Sequence, residues 1–149
     1  MLKIYLDNCC YNRPFDENIS DRINIEAEAI LAILTRCEQK KWELIGSTTL
    51  EIEMNKIADE YKKQKVQNLY KIADNKVKID IDVKNRSLEI QKTGIKVMDS
   101  LHIALSEKAK ADVMLTTDDI LIKKANQMDL KVEVLNPVNW LMEVTKNGQ

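Results

Sequence analysis

Acids recur in this chain where acids are costly. Asp7 ends the apolar run "MLKIYL", and Asp99 opens the Ala- and Leu-containing stretch "DSLHIALSEKA". Asp118 and Asp119 follow the apolar "VMLTT", and Glu51 and Glu53 lie just beyond "WELIGS". A carboxylate in such surroundings is expensive to desolvate unless it is paired or binds a cation. No Lys or Arg is adjacent in sequence to Asp7, Asp99 or Asp118. Brought together, these acids repel one another and raise one another's pKa values, and a divalent cation relieves the repulsion. Mg²⁺ and Mn²⁺ prefer oxygen ligands, and Mg²⁺ takes one or two carboxylates and substrate phosphates while keeping several waters. A site of that kind makes water acidic and supports in-line attack on a phosphodiester. Hydrolysis of a nucleic-acid backbone is the chemistry it suits. Taken singly, each acid has an ordinary role. Asp7 can begin a turn, Asp99 and Asp118 can sit at helix starts, and Glu51 can lie on a solvated face. Only their joint placement singles them out.

For the acids to meet, the elements that carry them must form one sheet. Met1–Leu6 reads as a strand, with Leu2, Ile4 and Leu6 on one face and Tyr5 on the other. Ser20 is a candidate N-cap for a helix running to about Gln39. A strand follows over Trp42–Gly46, then a helix whose N-cap oxygens come from Ser47-Thr48-Thr49, then a helix over about Asp59–Ala73. Lys76–Ile81 alternates as a half-buried strand does, and "VKNRSLEIQKTG" predicts a helix stopping near Gly94. A helix over Asp99–Ala109, a strand over Asp112–Thr117, a helix over Asp118–Met128, the strand "KVEVL" and a helix starting at Pro137 complete the chain. Strands alternating with helices predict an α/β fold: a central parallel sheet of four to five strands, flanked by helices on both faces. Such sheets bind ligands at the carboxyl ends of their strands, where Asp7 and Asp118 fall.

Composition narrows the choices. The 149 residues suit one domain, expected over 1–145 with a short polar tail at 146–149. A net charge of −1 gives no global attraction to polyanions. The single histidine, His102, excludes multi-histidine zinc patterns, and three glycines leave no Gly-rich phosphate loop. Cys9 and Cys10 are neighbours, Cys37 is alone, and no CxxC occurs. With no secretory leader and no spanning-length apolar run expected, this predicts a reducing, cytoplasmic location without membrane contact.

Four stretches, "YLDNCCYNRPFD", "STTLEIEMNK", "VMDSLHIALSEKAKAD" and "VMLTTDDILIKKA", resemble those of PIN-domain ribonucleases, including VapC-type toxins of toxin–antitoxin modules. The resemblance spans nearly the whole chain in order. It implies a PIN-like fold and a Mg²⁺- or Mn²⁺-dependent endoribonuclease that cleaves single-stranded RNA. It further implies a type II toxin role with an antitoxin protein as partner, or a related stand-alone protein, commonly as a homodimer. Carried over, the metal-holding catalytic acids match Asp7, Glu53, Asp99 and Asp118. Thr116 matches the hydroxyl residue before the last acid, and Asn8 or Asn12 adds a polar contact. Glu51 and Glu53 do not share a helix face, so only one is expected to point at the site, and the resemblance implies Glu53, which keeps the family's spacing from Ser47. Asp119 is expected to cap the next helix or reach the metal through water.

Other residues carry competing readings. His102 shares a helix face with Asp99; it either orients an acid or is a hydrogen-bonded core residue, the commoner case. Arg13 either holds an RNA phosphate or pairs with a carboxylate. Met54–Lys78 carries seven lysines against three acids, with Tyr61 and Tyr70 interleaved. It is a local basic stretch able to contact phosphates, a solvated helix face, or a region gripped by a partner. Two other function classes compete: a thiol enzyme using Cys9 or Cys10 with His102, which requires a Cys–His hydrogen bond, and a non-catalytic RNA- or protein-binding module. Otherwise the thiols are small apolar fillers.

Overall fold

β1 (Lys3–Leu6) is the middle strand of a five-stranded, all-parallel sheet in the order β3-β2-β1-β4-β5. The computed structural model describes residues 1–17 and 20–146; most of the polar tail at 146–149 lies outside the described residues. The other strands are β2 (Glu43–Ser47), β3 (Asn75–Val77), β4 (Val113–Leu115) and β5 (Glu133–Leu135). Ile4, Tyr5 and Leu6 are all fully buried, as a central strand covered on both faces must be. Tyr5 lies opposite Ile45 on one side and Met114 on the other.

Among the described residues eight helices surround the sheet: α1 (Asn8–Asn12), α2 (Asp21–Glu38), α3 (Thr48–Asn55), α4 (Glu60–Tyr70), α5 (Ile81–Gln91), α6 (Val97–Lys108), α7 (Asp119–Asn126) and α8 (Pro137–Val144). This is an α/β fold consistent with a PIN-like arrangement. The chain runs from β1 outward to β3, then crosses back past β1 to β4 and β5. Right-handed connections put these two runs on opposite faces. The switch in direction opens a crevice at the carboxyl ends of β1 and β4. No helix among the described residues is long and apolar enough to cross a membrane.

Local chemistry explains the helix starts. Ser20, Ser47, Asp59, Asp80 and Asn136 each accept a backbone N–H from the first turn that follows. Gly94, past the end of α5, has φ +98°, the left-handed region that favours glycine. Gly46 is needed for close approach: a Cβ there lies 2.5 Å from Tyr70 Oη.

Three elements depart from the sequence reading. Residues 8–15, given no helix in the sequence reading, form α1 and a 3₁₀ turn (Arg13–Phe15). α1 is too short to show periodicity, and its start depends on Asp7 turning back to accept Asn8 N–H at 2.8 Å. β3 stops at Val77 because Asp80 caps α5, which begins at Ile81. α6 begins at Val97, so Asp99 is inside its first turn and Lys96 is the residue at its cap.

Candidate active site

The crevice gathers carboxylates from four elements. Asp7 follows β1 and is held by short-range donors. Its Oδ1 accepts Asn8 N–H, and its Oδ2 accepts the Thr116 hydroxyl at 2.9 Å and faces Cys9 Sγ at 3.5 Å. The Asp7 backbone N–H reaches Leu115 O at 2.9 Å, tying the ends of β1 and β4 together. Thr116 also accepts Asp118 N–H at 3.2 Å, so one buried hydroxyl links the acids after both strands.

Asp99 enters from α6. Its carboxyl is pushed up to about 6 by burial first, and then by the negative charges of Asp7 and Asp118. His102 and Lys96 oppose this and do not cancel it. Residues 7, 99 and 118 are therefore close enough to repel, as their placement in sequence predicts.

Glu53 and Glu51 part company. Glu53 Oε1 receives His102 Nε2 at 2.6 Å, and the same ring nitrogen is 3.9 Å from Asp7 Oδ1. Glu51 turns away to the Tyr70 hydroxyl at 2.7 Å and Lys76 at 2.9 Å, which lower its pKa. The two are two residues apart, roughly 200° round a helix, so both cannot face the crevice. The buried Tyr70 hydroxyl also accepts Ser47 N–H at 3.0 Å. Tyr70 is thus a packing residue, leaving Tyr61, with Lys65 over its ring, as the exposed aromatic of the basic stretch.

His102 is 1 % exposed and bridges two layers. Its Nδ1 is 2.6 Å from the Tyr5 hydroxyl, which is 2.8 Å from Ser47 Oγ. Burial works to lower the imidazole pKa, but the bond to Glu53 and the charges of Asp7, Glu53 and Asp99 outweigh it, and the net direction is up. The core reading of His102 describes its burial; its contact with Glu53 is the reading in which it orients an acid.

Several expected roles are corrected. Asp118, not Asp119, caps α7, with Oδ1 accepting Ile120 and Leu121 N–H. Asp119 instead makes a two-pronged pair with Arg22, at 2.7 and 2.8 Å, which lowers its pKa. Arg13 makes the carboxylate contacts that were one of its two expected roles. It pairs with Asp16 at 3.0 Å and with Glu26 at 3.1 Å. Glu26 is only 2 % exposed, and a buried carboxylate requires such partners. Asn12 donates to Asn8 O and Oδ1, so these two side chains brace α1. Cys10 is buried filler, and burial pushes its thiol pKa up. Cys9 is not mere filler, since it also lies 3.4 Å from Thr116 Oγ1. Among the described residues neither thiol hydrogen-bonds to His102, so the Cys–His pair a thiol enzyme needs is not formed.

The acids do not close a cage. Among the described residues, no group of three or more His, Cys, Asp or Glu is gathered tightly enough to hold a metal ion. Asp7, Glu53 and Asp118 are each engaged by protein donors. Asp99 is the exception: burial and neighbouring charge act on it, and among the described residues no side-chain hydrogen bond relieves it. The donors facing the crevice are hard oxygens, and Asp118 spends only Oδ1 on its helix. Such a set fits a cation that takes one or two carboxylates and keeps its waters, rather than one needing a complete protein cage. No protein-family model matches this sequence, and no curated protein matches it.

Proposed function

We propose that this chain is a Mg²⁺- or Mn²⁺-dependent endoribonuclease of the PIN-domain type, acting on single-stranded RNA. The observation that carries the reading is the gathering of Asp7, Asp99 and Asp118 at the switch point, where burial first and then the charges of Asp7 and Asp118 raise the Asp99 carboxyl against the opposing His102 and Lys96. A carboxylate perturbed by burial together with specific charged neighbours in a cleft is a functional-site candidate.

Asp7 and Asp99 are the residues that would hold the cation, with Asp118 and Glu53 at its periphery. A cation bound there would supply charge neutralisation for a phosphodiester and would lower the pKa of a bound water. The chain's own residues orient the acids: Thr116 and the α1 N-terminus fix Asp7, and His102 fixes Glu53. The lysines of α4 supply phosphate contacts that the near-neutral chain otherwise lacks. Two lysines of the stretch are already engaged, Lys62 with Asp16 at 3.5 Å and Lys76 with Glu51. The toxin role, an antitoxin partner, a homodimer and a cytoplasmic location belong to the same proposal through the resemblance of the motifs.

Cleavage of unstructured RNA with Mn²⁺, with EDTA, and with Asp7→Asn tests it. Activity that EDTA stops and Mn²⁺ restores is expected, with Asp7→Asn at least about 100-fold slower, the scale of losing a principal electrostatic group. Equal cleavage by wild type and Asp7→Asn refutes the assignment. Acid-dependent Mn²⁺ binding without cleavage favours a binding module on the same fold.

A further inference from the structure

We propose that His102 is the positioning residue of the crevice: it donates Nε2–H to Glu53, while Tyr5 and Ser47 hold its other nitrogen, and so sets which acid of α3 faces Asp7 and Asp99. Its consequence for a cation rests on the metal-site reading above. The hydrogen-bond chain itself does not.

The chain of contacts starts and ends on the same helix. Ser47 caps α3 by accepting Leu50 N–H at 3.1 Å. Its Oγ meets the Tyr5 hydroxyl of β1 at 2.8 Å, Tyr5 meets His102 Nδ1 of α6 at 2.6 Å, and Nε2 meets Glu53 of α3 at 2.6 Å. An ionised carboxylate can only accept, so Nε2 must carry a hydrogen. That holds for the neutral ring with Nε2–H and for the doubly protonated ring alike. In the neutral ring Tyr5 donates to Nδ1; in the cation Nδ1–H donates to Tyr5, whose hydroxyl turns to Ser47. Either way the loop pins α3 to the central strand and to α6.

Rotation of α3 is what the loop controls. Glu51 is held on the far side through Oε2 by Tyr70 and Lys76, whereas Glu53 has His102 as its partner. Among the described residues, Nε2–H is the donor that holds Glu53 near Asp7. Partners that orient a metal-binding group typically matter 10–100-fold in affinity.

Two substitutions separate the two ends of the ring. His102→Gln places an amide near the Nε2 position and keeps a donor for Glu53. His102→Asn reaches only the Nδ1 position and loses it. Mn²⁺ titration is expected to give binding about 10–100-fold weaker for His102→Asn, and within about threefold of wild type for His102→Gln. Equal binding by His102→Asn and wild type, or equal loss in both variants, overturns the proposal. The chain's single histidine permits a second readout on the unsubstituted ring. Long-range ¹H–¹⁵N NMR should show a protonated Nε2 whose signal moves in Glu53→Ala. An unprotonated Nε2, or a signal indifferent to Glu53→Ala, refutes the relay. If wild type binds no Mn²⁺, the metal reading fails while the ring signature still decides the relay.

Discussion

Replacing Asp99 by Asn should make the metal-free protein more stable at neutral pH. The Asp99 carboxyl is raised from 3.8 to about 6, by burial and by Asp7 and Asp118. That corresponds to at most about 3 kcal/mol against the charged form. Asp99 is only half-buried, so solvent screening reduces the expected gain to about 1–2 kcal/mol. The sign follows from proton counting. Below pH 3.8 the group is protonated in both folded and unfolded chains, and the penalty is absent. Between 3.8 and about 6 the folded chain keeps a proton that the unfolded chain releases, so stability falls as pH rises. Above about 6 the whole penalty applies. Urea unfolding in EDTA should therefore show Asp99→Asn more stable than wild type at pH 7.5, with the gain cut to about half at pH 5. Saturating Mn²⁺ should stabilise wild type and leave the variant unmoved. A variant less stable than wild type at pH 7.5, or a gain unchanged at pH 5, would refute the repulsion at the crevice.

Two further substitutions probe the frame around the site. Gly46→Ala places a Cβ 2.5 Å from Tyr70 Oη and 2.9 Å from Cζ, and should cost about 1–3 kcal/mol in urea unfolding. The cost should shrink in a Tyr70→Phe background, where the closest atom is gone; no shrinkage places the strain elsewhere. Arg13→Ala removes one of three partners of the buried Glu26, beside Arg22 at 3.2 Å and Asn136 at 2.7 Å. A loss of about 1–3 kcal/mol is expected, and it should diminish when Glu26→Ala is added; strictly additive effects contradict the pairing.

Much of this protein was readable from local pattern. The alternation of strands and helices, the caps at Ser20 and Ser47, the C-terminal glycine at 94 and the acids at strand ends all depend on residues a few positions apart. Their physics is short-range: periodic burial, first-turn N–H groups seeking acceptors, a positive φ. The same locality explains the errors. α1 was missed because its start depends on Asp7, a residue already assigned to chemistry, and neighbouring Asp118 and Asp119 offered no local reason to prefer one as cap.

The acid cluster itself was inferred from sequence, but its wiring was not. His102 lies 49 residues from Glu53 and 97 from Tyr5, and Thr116 lies 109 from Asp7. Arg22 finds Asp119 across 97 residues, which converts a supposed metal contact into an ion pair. Such pairings are set by strand order, with β1 between β2 and β4, and no local periodicity encodes that order. The sequence alone determined which residues bear charge and which end of each strand they occupy. Only the tertiary structure decided which charges face one another, because that depends on where the sheet reverses direction and how each helix is turned on it.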